Sequence, residues 1–304
     1  MCTDFFERHE KVLKRVYIGL IIIFILYAIY SIHGQISWPH FMEAMHSLSI
    51  TKIIILVILG ALAVTPMFVY DFIYASKTNL HTSKPELMTS SYIINTFTNI
   101  GGSGGAVGAS LRVFLFGNLE SNVETVKIIA QIALFTLSGL VTNDLLAIVL
   151  YFTNHLSFNI AMQLVLYCFP LYIIVPFFLK NNTMKKKDVI KILIGSTFEW
   201  LACLAFFTSI GFFLNYHYDI VGVYVGVVLA GIIGAISLIP GGLGTFDGTM
   251  IPTLHLVAGL SLNQSLLWVV IYRLCYYIIP FLIGLVLLAG KVIRRRIQST
   301  SAKS

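Results

Sequence analysis

Long apolar runs separated by short polar breaks organise this chain. They fall at 16–32, 53–75, 88–116, 126–152, 160–179, 189–214, 220–258 and 264–290. Most reach the roughly 20 residues a helix needs to cross a bilayer. The pattern therefore predicts an all-α polytopic membrane protein with eight hydrophobic elements. Two runs are interrupted: 88–116 holds GGSGGAVG, and 220–258 holds SLIPGGLGTFDG. Glycine lacks a Cβ and proline lacks an N–H, so helices break there. Broken backbone at membrane depth is tolerated only where it is buried in protein or lines a wet cavity. The second break carries Asp247 between its glycines and Pro252, and is the first candidate for a working site.

The positions of Lys and Arg set an orientation. The N-terminal cluster (Arg8, Lys11, Lys14, Arg15), the loop with Lys180, Lys185, Lys186, Lys187 and Lys191, and the tail with Lys291, Arg294, Arg295 and Arg296 all read as cytoplasmic. Five full crossings before Lys180 would put its loop outside. The conflict disappears if 88–116 is re-entrant and 220–258 is a hairpin dipping from the other face. This gives about six full spans plus two Gly-rich re-entrant or broken hairpins, although 220–239 and 240–258 could each cross with the same end-points. The halves, about 10–152 and 156–292, then read as two inverted repeats, with Gly101 and Gly241 140 residues apart on equivalent elements. Paired broken segments in inverted halves point to a transport site near the midplane.

Composition agrees with a single transmembrane domain over 1–304, ending in a short basic tail at 293–304. The 304 residues are 58% hydrophobic and 11% charged, against about 25% charged in soluble domains; mean hydropathy is +0.88. The formal charge of +7 speaks to orientation and anionic lipid rather than nucleic acid, and no nucleic-acid partner is expected. Cys2, Cys168, Cys203 and Cys275 show no CxxC spacing, so no disulfide or metal site is expected. The first apolar stretch is long and lacks a small-residue cleavage site, so no cleavable leader is expected.

Ionisable groups inside spans cost about 2.5–3.5 kcal/mol each on insertion scales. This chain keeps Asp71, Arg112, Asp144, Glu199, Asp247 and Arg273. Asp71, Arg112 and Asp144 could snorkel to an interface, Glu199 and Arg273 could form a structural ion pair, and Asp247 could be a turn residue. As a set they suit a ligand with both phosphate and ammonium groups. Arg112, Arg273 and the glycine-rich backbone at Gly101, Gly102, Gly104, Gly105, Gly241, Gly242 and Gly244 would hold phosphate. Asp71, Glu199 and Asp247 would hold the ammonium, and Asp144 is a possible proton site. The glycines also fit close helix packing. No HExxH, GxSxG, P-loop or Rossmann pattern appears in its required context, so no catalytic residue, metal or cofactor is assigned, and movement without ATP is expected.

SLIPGGLGTFDG together with GGSGGAVGASLRVFLF resembles the lysyl-phosphatidylglycerol synthase/flippase family, also called the multiple peptide resistance factor family, over roughly 10–292. The resemblance implies an N-terminal flippase region. In full members a cytoplasmic domain also transfers lysine from lysyl-tRNA to phosphatidylglycerol. It implies residence in the bacterial cytoplasmic membrane and movement of a cationic lipid outward, giving resistance to cationic antimicrobial peptides. Asp71, Arg112, Glu199, Asp247 and Arg273 match family positions. The sequence ends at Ser304 without such a domain, so the expectation is translocation of lysyl-phosphatidylglycerol or a related aminoacylated phospholipid. The alternatives are a membrane component of the lysyltransferase, or a membrane partner of a separate synthase. Anionic and aminoacylated phospholipids are the expected partners, with a homo-oligomer possible.

Overall fold

A computed structural model describes residues 39, 42, 48–78, 80, 82–101, 106–116, 123–174, 184–237 and 239–301. The apolar run 16–32, the N-terminal basic cluster, Cys2, Gly102, Gly104, Gly105 and Lys180 lie outside these residues. The described part is helical, without strands. In chain order the helices are α1 (Ile50–Ala63), α2 (Phe68–Lys77), α3 (Lys84–Gly101), α4 (Ala106–Phe116), α5 (Val123–Phe135), α6 (Ser138–Thr153), α7 (Ile160–Cys168), α8 (Lys186–Phe213), α9 (Ile220–Ser237), α10 (Thr245–Leu256), α11 (Leu262–Tyr272) and α12 (Ile279–Ser301).

Five stretches are long and apolar enough to cross a membrane: Ile50–Lys77, Val126–Thr153, Lys186–Phe213, Ile220–Ser237 and Leu262–Arg294. A 28-residue helix rises about 42 Å, more than the ~30 Å hydrocarbon core. Four of the five coincide with expected spans. The expected span at 160–179 differs: α7 stops at Cys168 and passes into a 3-10 turn, Phe169–Ile174. Pro170 at the start of that turn cannot donate to an α-helical ladder.

The long helices are apolar on both faces. On α1 the exposed side chains Ile50, Ile54, Ile58 and Leu62 recur every four residues, while Leu56, Gly60 and Ala63 are buried. An exposed apolar stripe along a helix this long and apolar fits a lipid-facing surface. Glycines set the close approaches inside. A Cβ on Gly60 would fall 2.2 Å from the Cys275 carbonyl oxygen, and one on Gly139 would fall 2.1 Å from the Ser196 carbonyl carbon. Only the absence of a side chain lets these helices touch backbone to backbone.

Both glycine-broken runs fold back on themselves. In the first, Gly101 abuts Val107 and Gly108 abuts Thr98, so α3 and α4 lie antiparallel. In the second, Gly222 abuts Val257, Gly226 abuts Thr253 and Gly234 abuts Gly242, so α9 and α10 do the same. The return arms have 11 and 12 residues. At 1.5 Å per residue each rises about 16–18 Å, short of a full crossing.

Candidate functional site

The tip of the second hairpin is built by backbone geometry. Ile239 leaves α9 in an extended conformation, Pro240–Gly242 forms a single 3-10 turn, and Gly244 caps α10. Gly241, Gly242 and Gly244 have φ of 60°, 59° and 80°, a left-handed region that costs other L-residues roughly 1–2 kcal/mol each. Arg273 grips this tip. Its Nη1 donates to the Gly241 carbonyl at 2.6 Å, its Nη2 to the Gly242 carbonyl at 3.2 Å, and its Nε to Asp247 Oδ1 at 2.9 Å. Asp247 Oδ2 accepts the Gly244 N–H at 3.0 Å. The guanidinium also lies over Phe246 and Tyr277, 5.1 and 4.7 Å from the ring centroids. Arg273 opens a π-helical turn, Arg273–Ile278, of the kind that often marks a functional position inside a helix.

The first hairpin is tied down by a second acid–base pair. Arg112 Nε on α4 donates to Asp71 Oδ1 on α2 at 2.7 Å. Asn95 on α3 donates to Asp71 Oδ2 at 2.8 Å. Asp71 is fully buried and Arg112 nearly so. Next in sequence, Tyr70 points to another partner and donates its hydroxyl to Glu199 on α8.

The tip of the second hairpin meets the end of α3. A Cβ on Gly241 would fall 3.6 Å from the carbonyl oxygens of Asn99 and Ile100 there. Beneath them is a cavity of about 600 Å³, within the usual range of small-molecule sites. Its charged lining groups are Arg112 and Glu199, and Gly241 and Gly242 form part of its roof. The rest of the wall is mostly apolar and aromatic, including Met67, Ile132, Phe246 and Tyr276. Two buried donors on the wall, Asn99 Nδ2 and Trp200 Nε1, have no hydrogen-bond partner among the described residues. Buried donors of this kind normally find an acceptor, so the cavity offers unused donors as well as a guanidinium and a carboxylate.

The structure thus separates the residues singled out from sequence. Arg112, Glu199, Gly241 and Gly242 line one cavity. Asp71, Asp247, Arg273 and Gly244 lie behind this wall as its supports, and Gly101 packs on Val107. The alternative, an ion pair between Glu199 and Arg273, does not form, because Arg273 is taken by Asp247 and the tip carbonyls. Among the described residues, Asp144 lies apart and pairs with neither arginine. Sequence reasoning passed over Tyr70, Asn99 and Trp200, which on apolar helices look like packing; adjacency to Asp71, the glycine cluster and Glu199 was the available signal. No group of three or more His, Cys, Asp or Glu side chains that could hold a metal occurs among the described residues.

No family model matches the chain. Three bacterial proteins named phosphatidylglycerol lysyltransferase are similar to it. That of Staphylococcus haemolyticus (strain JCSC1435) is 26% identical over 301 residues, covering 94% of this chain and 35% of its own length. That of Staphylococcus aureus (strain MRSA252) is 26% identical over 286 residues, covering 91% and 34%. That of Bacillus subtilis (strain 168) is 29% identical over 296 residues, covering 92% and 34%. Over more than nine-tenths of its length, this membrane-helical chain is similar to phosphatidylglycerol lysyltransferases of the multiple peptide resistance factor family, and it spans about a third of such a protein.

Proposed function

We propose that the chain moves lysyl-phosphatidylglycerol, or a related aminoacylated phospholipid, between the leaflets of the bacterial cytoplasmic membrane. The observation that carries this reading is the cavity beside the second hairpin's tip and the end of α3, which carries both Arg112 and Glu199 on a largely apolar wall. A lipid with a phosphate and an ammonium group needs one cation, one anion and a surface its acyl chains tolerate. A guanidinium gives planar donors to phosphate oxygens, and the Asn99 and Trp200 donors add to them. Glu199, oriented by Tyr70, takes the ammonium. The re-entrant arms, with cytoplasmic termini and two inverted halves, would rock around the cavity to alternate its access. Outward movement of a cationic lipid would lower the negative charge facing cationic antimicrobial peptides.

The relatives' name favours a second reading, in which the chain is the membrane component of a lysyl-transferring assembly, acting with a separate synthase or as a homo-oligomer. Outer-leaflet labelling of amino lipid, in cells that also supply the synthase, separates the two. Under the first reading Arg112→Ala lowers labelling while total lysyl lipid stays constant. Under the second, total lysyl lipid falls.

A further inference from the structure

Asp144 lies outside the cavity. It is fully buried on α6, and neither of its carboxylate oxygens has a hydrogen-bond partner among the described residues. An isolated carboxylate in apolar surroundings is costly enough that it neutralises or finds a partner. The adjoining residue is well satisfied: Asn143 Nδ2 donates to the Gly139 carbonyl at 2.8 Å, and Tyr224 on α9 donates its hydroxyl to Asn143 Oδ1 at 3.1 Å and to its carbonyl at 3.3 Å. Tyr224 is the titratable residue of α9, and its bonds to Asn143 hold its hydroxyl at the residue that adjoins Asp144 in the chain. The other titratable groups near the middle of the elements packed on α6 are committed elsewhere. On α8, Glu199 accepts from Tyr70 and Cys203 contacts the Tyr272 hydroxyl. In the 3-10 turn, Tyr172 donates to the Leu134 carbonyl. On α7, Tyr167 stacks on Phe152.

We propose that Asp144 is a proton-binding site whose loading sets the position of α9, the first arm of the second hairpin. With a proton bound, the carboxyl is neutral and tolerates its apolar surroundings while Tyr224 stays on Asn143. When the proton leaves, the carboxylate draws the Tyr224 hydroxyl from Asn143 onto itself. A metal ion is a poor alternative, because it needs several ligands and no group of three or more His, Cys, Asp or Glu side chains gathers around Asp144 among the described residues.

The site has a direct mechanical route to the cavity. Asp144 is seven residues beyond Leu137, and Tyr224 is seven residues before Gly231. Leu137 and Gly231 both line the cavity, so the proton site lies about 10 Å from it along each helix. Gly231 also packs against the Trp200 ring, where a Cβ would approach to 2.8 Å. A shift of α9 therefore reaches a cavity residue that fluoresces.

The test uses the full chain in phosphatidylglycerol liposomes without aminoacylated lipid, so it does not depend on what the cavity carries. Trp200 emission, isolated by subtracting the Trp200→Phe variant, is followed across a pH titration, and infrared spectra follow protonated carboxyl groups. The expected result is a single emission transition coincident with loss of one carboxyl band. Asp144→Asn, isosteric with the protonated acid, abolishes both. Tyr224→Phe keeps the band and loses the emission change, while Glu199→Gln keeps the Asp144 band. Persistence of every titrating carboxyl band in Asp144→Asn overturns the proton site. Persistence of the emission change in Tyr224→Phe overturns the coupling. Failure of lipid movement in a separate assay would leave both results standing.

Discussion

Arg112 and Asp71 meet at 2.7 Å with the aspartate fully buried, so the second arm of the first hairpin is held to α2 by a charge pair that faces away from bulk water. A buried pair contributes little net stability, but removing one partner strands the other and costs about 3–5 kcal/mol. Asp71→Ala is therefore expected to destabilise the purified chain by about that amount in thermal or denaturant unfolding. The double replacement Asp71→Leu with Arg112→Met is expected to recover much of the loss, while leaving lipid movement abolished, because it removes the cavity's cation.

The hairpin tip gives a sharper conformational test. Gly241→Ala forces a left-handed alanine and is expected to cost about 1–2 kcal/mol, with a matching loss of lipid movement as the Arg273 grip on the 241 and 242 carbonyls loosens. Gly248 lies inside α10 with open space around it, so Gly248→Ala is expected to be neutral or to stabilise by about 0.5–1 kcal/mol. Parallel unfolding curves of the two variants check both expectations.

Arg273→Lys tests whether the tip needs a fork or only a charge. Lysine is a point donor and cannot reproduce the guanidinium contacts to Asp247, Gly241 and Gly242. The variant is expected to lose most lipid movement despite its retained charge. The check is its initial rate in the outer-leaflet assay at matched expression.

The contact between α6 and α8 is as tight as backbones allow. Gly139→Ala places a methyl 2.1 Å from the Ser196 carbonyl carbon, where the Ser196 hydroxyl also bonds the Gly139 N–H at 2.9 Å. Overpacking there is expected to cost about 1–3 kcal/mol, measurable as a lowered unfolding midpoint.

Much of the architecture is legible in the sequence because lipid imposes so plain a code. The runs at 53–75, 126–152, 189–214 and 264–290 became long helices, and each described glycine-broken run became a hairpin. The end of α7 was less legible, because Phe169–Ile174 is as apolar as a spanning helix and only Pro170 signals the change. The buried charges showed which residues matter but not how they pair. Arg273 lies in the same span as its aromatic neighbours, and nothing in its spacing says that its fork would take Asp247 and two tip carbonyls rather than Glu199. Burial cost identifies a charge as exceptional. Whether it lines a cavity, as Arg112 and Glu199 do, or supports its wall, as Asp71 and Asp247 do, is decided by contacts between helices distant in sequence.

The most direct test of the central claim is transbilayer movement of fluorescent lysyl-phosphatidylglycerol and phosphatidylglycerol in liposomes holding the purified chain. The wild type is expected to move the lysyl lipid faster than protein-free liposomes do. Arg112→Ala is expected to abolish movement of both lipids, and Glu199→Gln to slow the lysyl lipid selectively. Equal rates for wild type, Arg112→Ala and protein-free liposomes would contradict the assignment of the cavity as a lipid-translocating site.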